Sequence, residues 1–145
     1  MPSVSFRCRL WARLLSGMFP GDNAAMTVRL YQIVVDAHDP ARLARWWAQV
    51  LGYEVLYETA SEVIIGVAPD RYPGMCFVPV PDSKSTKNRL HVDLDPDDFE
   101  AEVARVIALG ATPGDVGQGD APWAVLEDIE GNEFCVLTAH QSLIA

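Results

Sequence analysis

The chain repeats itself at an offset of 59 residues, within a total of only 145. With the two copies laid over each other, Gln32 falls on His91, Asp39 on Asp98, Asp70 on Ile129 and Cys76 on Cys135. Each copy passes from a short β-rich segment through an acidic helix start into an amphipathic helix closing on Leu-Gly, at Leu51-Gly52 and at Leu109-Gly110. A duplication in so short a chain implies two like modules packed about a pseudo-twofold, with the seam between them a natural place for a site. It also turns single residues into pairs: whatever Gln32 and Cys76 do in one half, His91 and Cys135 are placed to do in the other.

Hydrophobic periodicity fills in each module. Residues 28–36 are β-branched and apolar enough for a strand. Asp39-Pro40 reads as an N-cap followed by proline at the first helical position. Leu43, Trp46, Trp47, Val50 and Leu51 then recur at helical spacing, and Gly52 closes the helix. Strands are expected at 53–57, 62–67 and 75–80, with a turn at 69–74 and a polar linker at 82–88. In the second copy a strand at 90–94 precedes a helix capped by Asp97 or Asp98, with Phe99, Val103, Val106, Ile107 and Leu109 on its buried face. Strands at 112–116, 123–126 and 133–138 complete it. The prediction is an α+β fold of two tandem βαβββ modules, about 28–81 and 89–139. They form a cupped eight-stranded sheet with helices outside and a trough between the modules.

Half of the residues are hydrophobic, as in a globular domain, and no apolar run approaches the ~20 residues of a membrane span. The formal charge of −9 argues against nucleic acid, whose phosphates require a basic face. A small-molecule or protein partner fits better. Cys8, Cys76 and Cys135 are too few and too odd in number for a disulfide framework, so a reducing cytoplasm is expected. Residues 1–25 are Arg-bearing, acid-poor and outside the repeat, and they lack a good small-residue cleavage site. They read as an extension, disordered or lying upstream of a start at Met26, ahead of a single domain over 26–145.

The four repeat-paired positions are the first candidates for chemistry. Under a pseudo-twofold, Gln32, His91, Cys76 and Cys135 converge on one point. Imidazole and thiolate are good ligands for Zn²⁺ or Fe²⁺, a Gln carbonyl is a weaker one, and the metal would act as a Lewis acid. A cysteine is as readily a small buried hydrophobe, so both readings stay open at this point. Asp93 and Asp95 share a strand face with His91, as Asp36 does with Gln32. Asp93 is the carboxylate to keep for general acid–base work, while Asp97 and Asp98 read as helix-start charges. His38 reads as a solvated turn residue. Of the adjacent Trp46 and Trp47, one is expected in the core and the other at a module seam or a partner. Trp123 follows a Gly-rich loop and is the candidate ligand-stacking platform, with Trp47 and Phe77 as further ligand contacts. That loop does not join a strand to a helix, so it is not a phosphate cradle.

At three stretches the chain resembles the vicinal oxygen chelate superfamily, specifically its glyoxalase-like domains. They are Val34-Val35-Asp36-Ala37-His38-Asp39-Pro40 with Trp46-Trp47 and Val50-Leu51-Gly52-Tyr53; Asn88-Arg89-Leu90-His91-Val92-Asp93-Leu94 with Ala108-Leu109-Gly110-Ala111; and the hairpin from Asp128 to Leu137, with Ile129 where proline is usual. The similarity spans about 28–139. It implies a homodimer of paired βαβββ modules whose divalent metal (zinc, iron, nickel or manganese) chelates adjacent substrate oxygens. By position, the metal-ligand slots fall on Gln32, His91 and Cys135, with Cys76 added by the repeat. His91 matches well, Cys135 replaces the usual acidic ligand, and Glu133, two residues earlier, joins Asp93 as a catalytic candidate. Three functions follow from the resemblance. The first is binding of a small organic molecule between the modules. The second is a metal-dependent lyase or dioxygenase using His91. The third is metal-free drug sequestration, as in bleomycin-binding relatives, with an acidic trough suited to a cationic drug.

Overall fold

The computed structural model describes residues 28–138 together with Leu143; the extension expected at 1–25 lies outside the described residues. The first module comprises β1 (Gln32–Ala37), α1 (Pro40–Leu51), β2 (Glu54–Glu58), β3 (Val63–Gly66) and β4 (Gly74–Pro79). The second comprises β5 (Asp93–Leu94), α2 (Phe99–Ala108), β6 (Thr112–Pro113), β7 (Ala124–Glu127) and β8 (Glu133–Val136). The eight strands are divided between two four-stranded sheets, ordered β1-β4-β3-β2 and β5-β8-β7-β6. In each, the first strand pairs in parallel with the last and the other pairings are antiparallel. The repeat holds down to the register: Val34 lies opposite Cys76, and Asp93 opposite Cys135.

Local chemistry sets the helix ends. The Asp39 side chain accepts from the Arg42 N–H at 3.1 Å and Pro40 opens α1. Gly52, at φ 66°, takes the left-handed cap conformation that disfavours other residues. In α2 the Asp98 side chain accepts from the Ala101 N–H at 3.0 Å. The apolar stripes differ in width. α1 buries Leu43, Ala44, Trp46, Trp47, Ala48 and Val50, whereas α2 fully buries only Val106. Ile107, expected on the buried face, is 41% exposed; it sits about 100° around the helix from Val106. The strand expected from Val28 begins only at Gln32, because its partner β4 begins opposite that residue at Gly74.

The modules are joined through α1. Trp46 and Trp47 are both buried, at 5% and 3% exposure, and both, not only one as expected, reach the seam between the modules from within the core. Their rings meet Phe134 of β8 edge-on. Both indole N–H groups donate across the junction, Trp46 to the Leu109 carbonyl and Trp47 to Asp128 Oδ2, each at 3.0 Å. This satisfies the polar tip that a buried Trp must place. The buried Asp128 also accepts from the Glu130 and Asn132 N–H groups and from Asn132 Nδ2, which fixes the β7–β8 turn. Glu130 in that turn accepts from the N–H groups of His38 and Asp39, both at 2.8 Å. A carboxylate there complements the N-terminal end of the helix dipole. At the other end of α1, Arg105 of α2 donates to the Gln49 and Val50 carbonyls.

Candidate metal and ligand site

The site is built by the alternation of side chains along β5 and the extended residues beside it. His91, Asp93 and Asp95 are exposed while Val92 and Leu94 turn toward the core. On β8 the same alternation sends Phe134 and Val136 into the core and leaves Glu133, Cys135 and Leu137 for the opposite face. Parallel pairing sets Asp93 beside Cys135. One ligand atom each from His91, Asp93 and Cys135 therefore lies within 4.8 Å of the others, and His91 Nε2 is 3.2 Å from Asp93 Oδ1. These three border a cavity of about 370 Å³ whose apolar wall is Val116, Trp123, Val125 and Leu137. The loop carrying Val116 braces itself: Gln118 accepts from the Val116 N–H and donates to the Gly114 carbonyl, and Asp115 accepts from the Gly117 N–H.

Burial pushes the Cys135 thiol up, and the neighbouring Asp93 carboxylate pushes it further, with Lys87 acting in the opposite sense. Burial likewise raises Cys76, helped by Glu62, whose Oε2 lies 3.7 Å from the sulfur. Burial also pushes the Glu133 carboxyl up, but the Lys84 ammonium and the N–H groups of Asn88 and Glu133 outweigh it and hold the group below the usual carboxylate range. Lys84 Nζ and the Asn88 N–H reach its two oxygens at 2.8 and 2.9 Å. This carboxylate fastens the linker to β8, which leaves Asp93 as the freer of the two acid–base candidates.

The remaining candidates fall in different places. Gln32 and Cys76 belong to the first sheet and do not line the cavity at His91; Gln32 borders a separate hollow of about 30 Å³. Phe77, expected at a ligand, is fully buried beneath α1 and offers no surface. Trp47 is a core residue bonded to Asp128, although it also borders a cleft of about 270 Å³ between the modules. That cleft shares His91 and Glu133 with the larger cavity. Trp123 is 41% exposed and lines the larger cavity, as a stacking platform must. Lys87 and Gln118 also line it, and no sequence signal marks either. Both lie in aperiodic segments whose direction no sequence pattern encodes.

The donor set suits a divalent metal. Imidazole nitrogen, carboxylate oxygen and sulfur are all used by zinc, and three protein ligands leave a position for a ligand oxygen. The exposed His91 and Asp93 side chains, 43% and 49% accessible, have the freedom to close the spacing to bonding distance.

Residues 32–137 match the glyoxalase-like domain family. The chain belongs to this family. Solved structures agree with this glyoxalase-like fold. Oxidase ChaP-H2 is 25% identical, with a TM-score of 0.56, over 79% of this chain and 96% of that one. A glyoxalase/bleomycin resistance protein/dioxygenase family enzyme from Burkholderia phytofirmans PsJN superposes with a TM-score of 0.62 at 18% identity, over 78% and 100%. The fosfomycin resistance protein FosX from Listeria monocytogenes, of which one structure is a complex with Mn(II), gives 0.61 at 14% identity, over 79% and 94%. No curated protein matches the chain.

Proposed function

We infer that this glyoxalase-like protein binds a small organic molecule in the second-module cavity, against a divalent metal held by His91, Asp93 and Cys135. The observation that carries the reading is the convergence of those three donors, within 4.8 Å, beside a cavity of about 370 Å³. That volume lies in the range of small-molecule sites. When bound, the metal would supply a Lewis acid for an oxygen of the ligand. The chain's own residues do the rest. Trp123 and the valines exclude water, His91, Asp93 and Cys135 would hold the metal that orients the ligand, and a carboxylate oxygen of Asp93 left off the metal is the group placed to take or return a proton in a lyase or dioxygenase reaction.

A second reading is a metal-free binding pocket. It is favoured by the 3.2 Å approach of His91 to Asp93, a contact made without an ion. A homodimer belongs to either reading. The row Val34–Cys76–Ile64–Tyr57 crosses the outer face of the first sheet, with Val34 55% and Tyr57 51% exposed, and a second copy would cover it. The unbridged Cys76 and Cys135 suit a reducing compartment such as the cytoplasm. Elemental analysis of protein purified without chelator or affinity tag, on wild type and His91→Ala together, tests the metal. Near-stoichiometric metal lost in the variant supports the first reading. No metal in either, even after reconstitution, leaves the second.

A further inference from the structure

The formal charge of −9 argues for a cationic ligand, but the cavity has a different local balance. Its titratable lining is Lys87, His91, Asp93, Glu133 and Cys135. Glu133 is compensated by Lys84 at 2.8 Å, with both side chains largely withdrawn from solvent at 10% and 20% exposure. Asp93 lies 3.2 Å from His91, and the metal it would help to hold would offset its charge. Cys135 is a thiol, or in the metal-bound form a ligand whose charge the ion offsets. Lys87 is left over: among the described residues it makes no ion pair. Of the 20 Asp and Glu residues, Asp93 and Glu133 line the cavity, and charges beyond a Debye length of about 8 Å are largely screened at physiological salt. Lys87 lines the cavity itself and is near enough to act on the Cys135 thiol.

The apolar part of the lining contains one large flat surface. Trp123 is 41% exposed, and among the described residues its ring stacks on no other aromatic ring. Val116 and Leu137 flank the same space. An aromatic face and a cation without an ion-pair partner, lining one cavity, recognise a flat ring carrying a negative oxygen.

We propose that the cavity selects a small planar aromatic anion, with its ring against Trp123 and its carboxylate or phenolate oxygen toward Lys87. This rests on the reading of the cavity as a binding site and names the ligand class for it.

The test is calorimetric titration of the full chain with 2-naphthoate, 2-naphthamide and 2-naphthylmethylamine, with metal content measured on the same samples. The acid should bind at least about 5-fold more tightly than the amide, the amine should bind weakest, and the preference should shrink as salt is raised. Lys87→Gln should weaken the acid about 5-fold and leave the amide within about 2-fold. Trp123→Leu should weaken acid and amide alike, by about 10-fold. Equal or tighter binding of the amide or amine, or an acid affinity indifferent to Lys87→Gln, overturns the ligand class; if that binding still depends on Trp123, the cavity reading survives. Failure of all three probes to bind at millimolar concentration also overturns the proposal. Metal retained in those samples would then preserve the metal site, whereas its absence would remove both.

Discussion

The two modules share topology and register but present different chemistry on corresponding positions. In both sheets the first strand lies parallel to the last, and a cysteine of the last strand faces the residue 59 positions from its counterpart: Val34 opposite Cys76, Asp93 opposite Cys135. The substitutions in this shared frame are Gln32 for His91 and Val34 for Asp93. They leave the first sheet with an apolar row and a cysteine beside Glu62, and the second with a three-donor cluster at a cavity. The scaffold asymmetry runs the other way. The first helix buries six residues and is held at both ends by the second module, while the second helix fully buries one. One module supplies most of the core, and the other carries the larger cavity. Duplication thus conserves backbone geometry, which depends on pairing and burial, while leaving outward side chains free to diverge.

The sharpest way to break this comparison is to exchange equivalent cysteines. Cys135→Ser should reduce metal from near one equivalent to background by elemental analysis, since thiolate is the softest donor of the set; Cys76→Ser should leave it unchanged. Equal loss from both would return the site to the module seam. The reciprocal graft, Gln32→His with Val34→Asp, should add a second and weaker equivalent, because the register against Cys76 is already that of the second sheet. No gain would mean that the cavity wall and its loop are required as well as the strand frame.

Stability offers smaller effects. Asp128→Ala removes the acceptor for Trp47 Nε1 and for the turn N–H groups, and should cost about 3 kcal/mol in urea denaturation. The position 59 residues earlier is Pro69, which has no such side chain. The smallest effect is electrostatic. The folded-state pKa of Glu133 is depressed, so its stabilisation is present above the ordinary carboxylate value of about 4.3 and is lost as pH falls through the lower folded value. Glu133→Gln should therefore be less stable than wild type at neutral pH, with the gap narrowing on acidification below that range. A constant gap would show that packing, not the Lys84 pair, carries the contribution of Glu133.

The duplication, the helix caps at Asp39 and Asp98, and the Leu-Gly exits were legible because they rest on short-range rules: hydrophobic period, capping chemistry and repeat spacing. Side-chain alternation likewise puts His91 and Asp93 on one face. The sequence could not decide whether the paired positions of both modules converge, because that depends on how two sheets pack. Asp93 and Cys135, paired on neighbouring strands of the second sheet, meet His91 two residues ahead of β5, while Cys76 lies in the first sheet. Nor could it tell that Phe77 would lie wholly beneath the first helix, or that both Trp46 and Trp47 would be buried with their N–H groups spent on the second module. Lys87 and Gln118 reached the cavity through aperiodic loops. Local pattern determined the elements and the face each residue takes; only the long-range packing of those faces, and the loops that return over them, decided which side chains share a site.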